Sequence, residues 1–307
     1  MQLLKKDKSN KKNINYIPLN FEENLIKTNG EFSKVIKIDD LDEIKRILQI
    51  TNYRNRYKLF LDIKNVGEVE YYLVETVIAN TINEADEKFK TENEISSEKL
   101  IRILRDFYQK GSFNESFDYE EIDIRNPRKE IAPINLSFKE NYFITDKYVG
   151  IVNAAQNLNS DYFDLESIIN KVQFRTLISI DFKKVNEEKI LRYLENSLET
   201  EFKSQPEIPE ELRDNIPKIR ERVEYAVNNK IGLLLYGFTI IQLGENLENT
   251  NKYNEQLKKL LKFNGMSTIT LNNNQRNGLN YTLPYGIDNN DIKLLLEEDK
   301  FLNILNK

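Results

Sequence analysis

The feature that most limits the fold is a regular alternation of strand and helix signals between residues 142 and 271. Phe174-Arg175-Thr176-Leu177-Ile178-Ser179-Ile180-Asp181-Phe182 alternates strongly enough for a strand. Before it, Tyr142 to Asn153 reads as strand material turning around Thr145-Asp146-Lys147, and Asp164 caps a helix with Leu165, Ile168, Ile169 and Val172 inward. After it, Asn186 caps a helix with Ile190, Leu191, Leu194, Leu198 and Phe202 at helical spacing. A linker with Pro206 and Pro209 leads to a helix with Pro217 in its first turn and Ile219, Val223 and Ala226 inward. Leu233 to Leu243 is a buried strand. Tyr253, Leu257, Leu260 and Leu261 mark a helix stopped by Asn264-Gly265, and Ser267 to Leu271 is the last strand. This order predicts an α+β protein whose second unit is a ferredoxin-like mixed sheet of βαβ modules with helices on one face. Strand order does not follow from the pattern, and the modules are too dissimilar to establish a duplication.

The preceding segment reads as a first α/β subdomain. Phe32 to Ile38 is a strand, Asp39 or Asp40 caps a helix carrying Leu41, Ile44, Ile47 and Leu48, and Tyr57 to Ile63 is another strand. Val69 to Ile78 reads as a third strand or a helix start. Asn80 to Tyr108 reads as helical, with Ser96 or Ser97 starting an apolar stripe of Leu100, Ile101, Leu104, Phe107 and Tyr108 that ends by Gly111. Residues 111–133 form a charged connector. The expected organisation is a basic flexible tail over 1–20, a first subdomain over 21–130, a second over 131–290 and a C-terminal helix over 291–307.

Composition removes several function classes. Histidine and cysteine are absent, which excludes disulfides, imidazole or thiolate metal sites, and Ser-His-Asp or Cys-His catalysis. A net charge of -5 argues against a dedicated nucleic-acid binder. No apolar run reaches the length of a membrane span, and lysines near the N-terminus lack the apolar core of a signal peptide.

Gly232-Leu233-Leu234-Leu235-Tyr236-Gly237-Phe238-Thr239 has the glycine spacing of a phosphate-binding loop, but Phe238 stands where that loop needs lysine. The insert is strand core. Asp288-Asn289-Asn290-Asp291 lacks the glycine and terminal glutamate of a calcium loop and reads as the cap of a helix bearing Ile292, Leu294, Leu295 and Leu296. The acid pairs Glu120-Glu121 and Glu210-Glu211 read as solvated. Tyr53, Arg54, Arg56, Tyr57 and Lys58 form a basic, aromatic cluster able to bind phosphate and stack bases, with a turn at a helix edge or a protein-docking patch as the plainer reading. No catalytic residue, cofactor-binding residue or metal ligand is assigned.

Near the C-terminus stands Gln275-Arg276-Asn277-Gly278-Leu279-Asn280-Tyr281-Thr282-Leu283-Pro284-Tyr285-Gly286. Its residues Gln275, Gly278, Leu279, Thr282, Leu283, Pro284 and Gly286 resemble a signature at the end of the N-terminal domain of the conjugative-transfer ATPases of type IV secretion (TraC/TrbE/CagE-like). Looser similarity covers roughly residues 16–290, including Tyr16-Ile17-Pro18-Leu19-Asn20-Phe21 and Tyr148-Val149-Gly150. Read physically, Gly278 allows close approach, Leu279 and Leu283 pack, Gln275 satisfies a backbone group, and Pro284 with Gly286 turns the chain out of the last strand as a hinge.

The resemblance implies a non-catalytic docking and assembly domain of a secretion motor, cytoplasmic and peripheral at the bacterial membrane. Its implied partners are inner-membrane and channel components, an ATPase domain supplied in trans, and further copies of the chain. In the family the nucleotide-binding domain follows the signature, and the expectation is a docking domain separate from its motor. Two other classes stay open: a stand-alone protein-interaction module with a ferredoxin-like sheet, and a carboxylate-dependent metal enzyme.

Overall fold

The computed structural model describes residues 17–28, 30–50, 54–91, 94–109, 122–160, 162–186, 221, 223–287 and 294–306. In chain order the elements are β1 (Phe21–Glu22), β2 (Leu25–Thr28), β3 (Glu31–Ile38), α1 (Asp42–Ile50), β4 (Arg56–Asn65) and β5 (Glu68–Ile78). Next come α2 (Ile82–Lys88), α3 (Ser97–Tyr108), α4 (Pro127–Ile131), β6 (Ser137–Phe138), β7 (Phe143–Ile144), β8 (Val149–Leu158), α5 (Leu165–Ile169) and β9 (Thr176–Val185). A short helix α6 (223–229) precedes β10 (Leu233–Gly244), α7 (Leu247–Phe263), β11 (Met266–Thr270), α8 (Gln275–Thr282), β12 (Leu294–Glu297) and α9 (Glu298–Asn306).

Local chemistry explains the boundaries. The Asp40 carboxylate accepts the Glu43 amide at the start of α1. Ser96, Asp164 and Asn246 cap α3, α5 and α7 in the same way. Gly265 takes a positive φ of 79° where α7 turns into β11. The stretch expected to be helical from Asn80 to Tyr108 holds two helices, α2 and α3, and between them Glu94 bridges to Ile36 of β3. The helix expected over Ile292 to Leu296 is instead strand at its C-terminal part: β12 pairs with β10 through Leu234↔Leu296 and Leu235↔Leu295. The cap at Asp288–Asp291, the helix from Asn186, the prolines at 206, 209 and 217, the acid pairs at 120–121 and 210–211, and Gly111 lie outside the described residues.

Among the described residues all strands join one twelve-stranded sheet in the order β1-β2-β3-β5-β4-β9-β10-β8-β7-β6, with β11 beside β8 and β12 beside β10. Every named pairing is antiparallel, so the expected mixed sheet is corrected. The expected break near residue 130 does not interrupt the sheet either, since β4 and β9 pair from Tyr57↔Phe182 to Ile63↔Thr176. The reason lies in β4, whose Leu59-Phe60-Leu61 run is buried on both faces and requires a neighbour on each edge.

Helices cover both faces of the whole sheet. On the first face, Leu59, Leu61, Ile178, Ile180, Phe238 and Ile240 meet α1, α5, α7 and α9. On the second, Phe60, Val74, Leu177, Val152 and Ile241 meet α3, α4, α8 and the turn after α8.

A repeat is visible in the topology that the side chains do not announce. In the second half β8-α5-β9-β10-α7-β11 gives the spatial order β11-β8-β10-β9, followed by α8 on the second face. In the first half β3-α1-β4-β5-α2 gives the order β3-β5-β4, with the Glu94 bridge beside β3 and then α3 on the second face. The halves meet edge to edge through β4 and β9.

Candidate functional site

The signature residues and the basic cluster, more than two hundred positions apart, come together on the second face of the sheet. Residues 275–282 form α8, and residues 283–286 make a buried turn that continues across the strands. Gln275 is buried and acts as one more rung of the β8 ladder. Its Oε1 accepts the Val152 amide at 2.9 Å, and its Nε2 donates to Leu271 O at 3.0 Å and Val152 O at 3.4 Å. Gly278 faces β8 so closely that a Cβ there would meet Val152 Cγ1 at 2.7 Å and Leu271 Cδ1 at 2.8 Å. Leu279, Leu283 and Tyr285 fill the second core, and the Thr282 hydroxyl donates to Gly278 O at 2.8 Å. The Tyr285 and Tyr108 hydroxyls are hydrogen-bonded at 3.0 Å, and burial drives both far above the ordinary phenol range, so both stay neutral.

The turn is seated by two cations from β4. Arg56 Nη2 donates to Gly286 O at 3.4 Å and to Glu31 at 2.5 Å. Lys58 donates to Tyr281 O and, at 2.6 Å, to Ile287 O, while its ammonium lies 3.5 Å from Asp181. The Tyr281 carbonyl belongs to the last turn of α8, where a cation also complements the helix dipole. Gly286 has φ 73°, and a Cβ there would overlap Ser33 Oγ on β3. Close approach and left-handed backbone both require glycine at this position.

The sequence-predicted contact cluster is therefore largely interior. Tyr57 and Lys58 are 2% and 3% exposed on strand β4, Arg56 is half-buried, Arg54 is exposed, and Tyr53 lies outside the described residues. Arg54 lies in a turn, and a continuous stacking platform does not result, because Tyr57 points to the opposite face and stacks on Phe182, ring centroids 5.6 Å apart. The expected exit from the last strand is corrected as well: the signature is a helix followed by a buried strap across β5 and β4.

Two buried charge hubs escaped the sequence reading. Glu75 is fully buried and accepts from Asn55 Nδ2, Tyr57 OH, the Lys90 and Thr91 amides and the Thr91 hydroxyl at 2.6–3.0 Å. It ties the chain after α2 to β5, and burial beside its carboxylate pushes the Tyr57 phenol far above its usual range. On the other face, Arg175 donates to both Asp62 oxygens at 3.1 and 2.7 Å, to Asp106 at 3.0 Å and to Tyr148 OH at 2.9 Å. Burial lowers the guanidinium's proton affinity, but Asp62 more than reverses this. Burial likewise raises Asp106, while Lys147 and Arg175 outweigh it and hold the carboxyl below its ordinary value. The sequence signal was available: Asp62 and Glu75 each interrupt an apolar strand run, at Leu59-Phe60-Leu61-Asp62-Ile63 and Leu73-Val74-Glu75-Thr76-Val77.

The phosphate-loop decoy is strand β10, its backbone from Leu233 onward paired with β9. Among the described residues no cluster of three acidic side chains is placed to hold a metal ion, and no helix is long and apolar enough to cross a membrane. No protein-family model and no curated protein matches the chain.

Proposed function

We propose that this chain is a non-catalytic docking and assembly domain of a conjugative type IV secretion motor, acting at the cytoplasmic face of the bacterial membrane and binding membrane and channel components. The carrying observation is that the signature residues act together as one structural device. Gln275 extends the β8 ladder, Gly278 admits α8 to the sheet, and Gly286 lets the strap lie on β3 and β5 beneath Arg56 and Lys58. A signature used in this way serves to position whatever the chain presents, which suits a docking domain. We read the β8-α5-β9-β10-α7-β11 unit as ferredoxin-like, with α5 and α7 on the same face. The ATPase activity would come from a separate domain, supplied in trans.

The test uses a conjugative host carrying this gene. Deletion should abolish plasmid transfer, complementation with the full chain should restore it, and in-cell crosslinking should join the chain to the secretion ATPase in the membrane fraction. Normal mating after deletion, with no crosslink to secretion components, refutes the assignment.

A further inference from the structure

On the first face, between the α5–β9 connection and α7, lies a cavity of ≈ 230 Å³. Its apolar lining is Phe174, Tyr253, Val172, Leu257 and Leu260. The two rings are half-exposed and stack on each other, centroids 3.3 Å apart and planes 13° from parallel, so their facing surfaces are mutually covered. The floor is Gln242, a buried amide already committed to Thr176 Oγ1, Arg175 O and Leu243 O. Exposed Lys171, Gln173 and Gln256 form the rim.

The dimensions and charge select the occupant. Small-molecule and cofactor sites run from roughly 300 to 1,000 Å³, so this cavity is undersized for a nucleotide or an organic cofactor. A concave apolar seat with a polar rim is the anatomy of an interface hot spot, which takes one large anchor side chain. In a chain of 50 acids and 45 bases, none of the lining residues is acidic and the rim carries a lysine. That charge favours a partner segment with carboxylates beside the anchor.

We propose that this cavity seats a single large apolar side chain, flanked by acidic residues, presented by a partner polypeptide. The inference deepens the docking reading by naming a contact point, and rests on it only for the partner's identity.

The chain contains no tryptophan, so an indole probe is the sole tryptophan emitter in a titration. The full chain is titrated against acetyl-Asp-Trp-Asp-amide and acetyl-Lys-Trp-Lys-amide. Emission of the acidic probe should shift to shorter wavelength and saturate, with the basic probe weaker. K171E, at an exposed position, should weaken the acidic probe about threefold to fivefold and strengthen the basic one. L260F should narrow the cavity and remove the shift, with circular dichroism confirming the fold of each variant. No saturable shift into the millimolar range, equal binding of both probes by parent and K171E, or displacement of the probe by adenosine or uridine overturns the proposal. The mating assay is independent: a failed titration with a retained mating phenotype removes the cavity proposal alone, and the reverse result removes the secretion role alone.

Discussion

Replacing Gln275 with methionine tests whether the signature glutamine serves the backbone or merely fills space. Methionine keeps the length and removes the amide. Three hydrogen bonds disappear, but not all their partners are orphaned. Val152 O still accepts the Leu271 amide at 3.0 Å, and Leu271 O still accepts the Asn274 amide at 3.1 Å. Only the Val152 N–H, held by Gln275 Oε1 at 2.9 Å, loses its partner. An unsatisfied buried donor costs about 1–3 kcal/mol, so the expected loss is about 2 kcal/mol instead of the sum of three bonds. Glutamate is the sharper control. It keeps an acceptor for Val152 N–H but turns a second oxygen toward the Leu271 and Val152 carbonyls and buries a charge, so Gln275→Glu should destabilise more than Gln275→Met near neutral pH. Native-state hydrogen exchange of the Val152 amide reads the effect locally, without assuming two-state unfolding of the whole chain. The reasoning fails if the methionine variant lies within about 0.5 kcal/mol of the parent with Val152 still protected, or if glutamate is the milder change.

Gly286→Ala should cost about 2–4 kcal/mol, combining a left-handed backbone at φ 73° with the overlap on Ser33; a lowered urea midpoint, partly restored by adding Ser33→Gly, is the expected readout. Arg175→Met leaves Asp62, with a side chain 4% exposed, without its bidentate partner, and should lose about 3–5 kcal/mol in chemical denaturation, with Arg175→Lys recovering only part. Asp106 titrates below its unfolded value, so the unfolded chain takes up the proton first on acidification. Its contribution is complete above the ordinary carboxylate pKa of about 3.9 and is lost as pH falls through the lower folded value. Asp106→Asn should therefore flatten the acid end of a stability-versus-pH curve and leave the slope above about pH 6 unchanged.

The sequence was most readable where periodicity meets a cap. The α1 stripe of Ile44, Ile47 and Leu48 and the α3 stripe from Leu100 to Tyr108 are buried as their spacing requires. It misled where short apolar runs leave helix and strand equally allowed, as at Leu294 to Leu296, which pair with β10 because that edge is open to them. Whether Gly286 is an exit hinge or a buried seat depends on Ser33 and Thr76, whose approach no local pattern encodes. The Tyr53–Lys58 cluster failed for a related reason. A lysine and an arginine on a strand look solvated until the chain elsewhere supplies carbonyls to bind them.

The seam between the two halves shows why those polar residues matter more than the apolar ones around them. Side chains on a strand repeat every two residues, so sliding β9 along β4 by two positions would leave each apolar residue on its own face. Hydrophobic burial alone does not separate the two registers. The charges do. In the observed register Lys58 pairs opposite Asp181, and Asp62 lies against Arg175 just before β9 begins. A slip of two that sets Lys183 opposite Lys58 takes Asp181 away from Lys58 and Arg175 away from Asp62, leaving buried charges uncompensated at about 3–5 kcal/mol for each broken pair, while the opposite slip sets uncharged Ser179 opposite Lys58. The same Lys58 also holds the strap through Tyr281 O and Ile287 O, so the register of the seam and the seating of the signature depend on one side chain. Lys58→Met should disturb both together: amides near the β4–β9 seam and in residues 281–287 should lose exchange protection in parallel, and loss in one region alone would show the two to be independent.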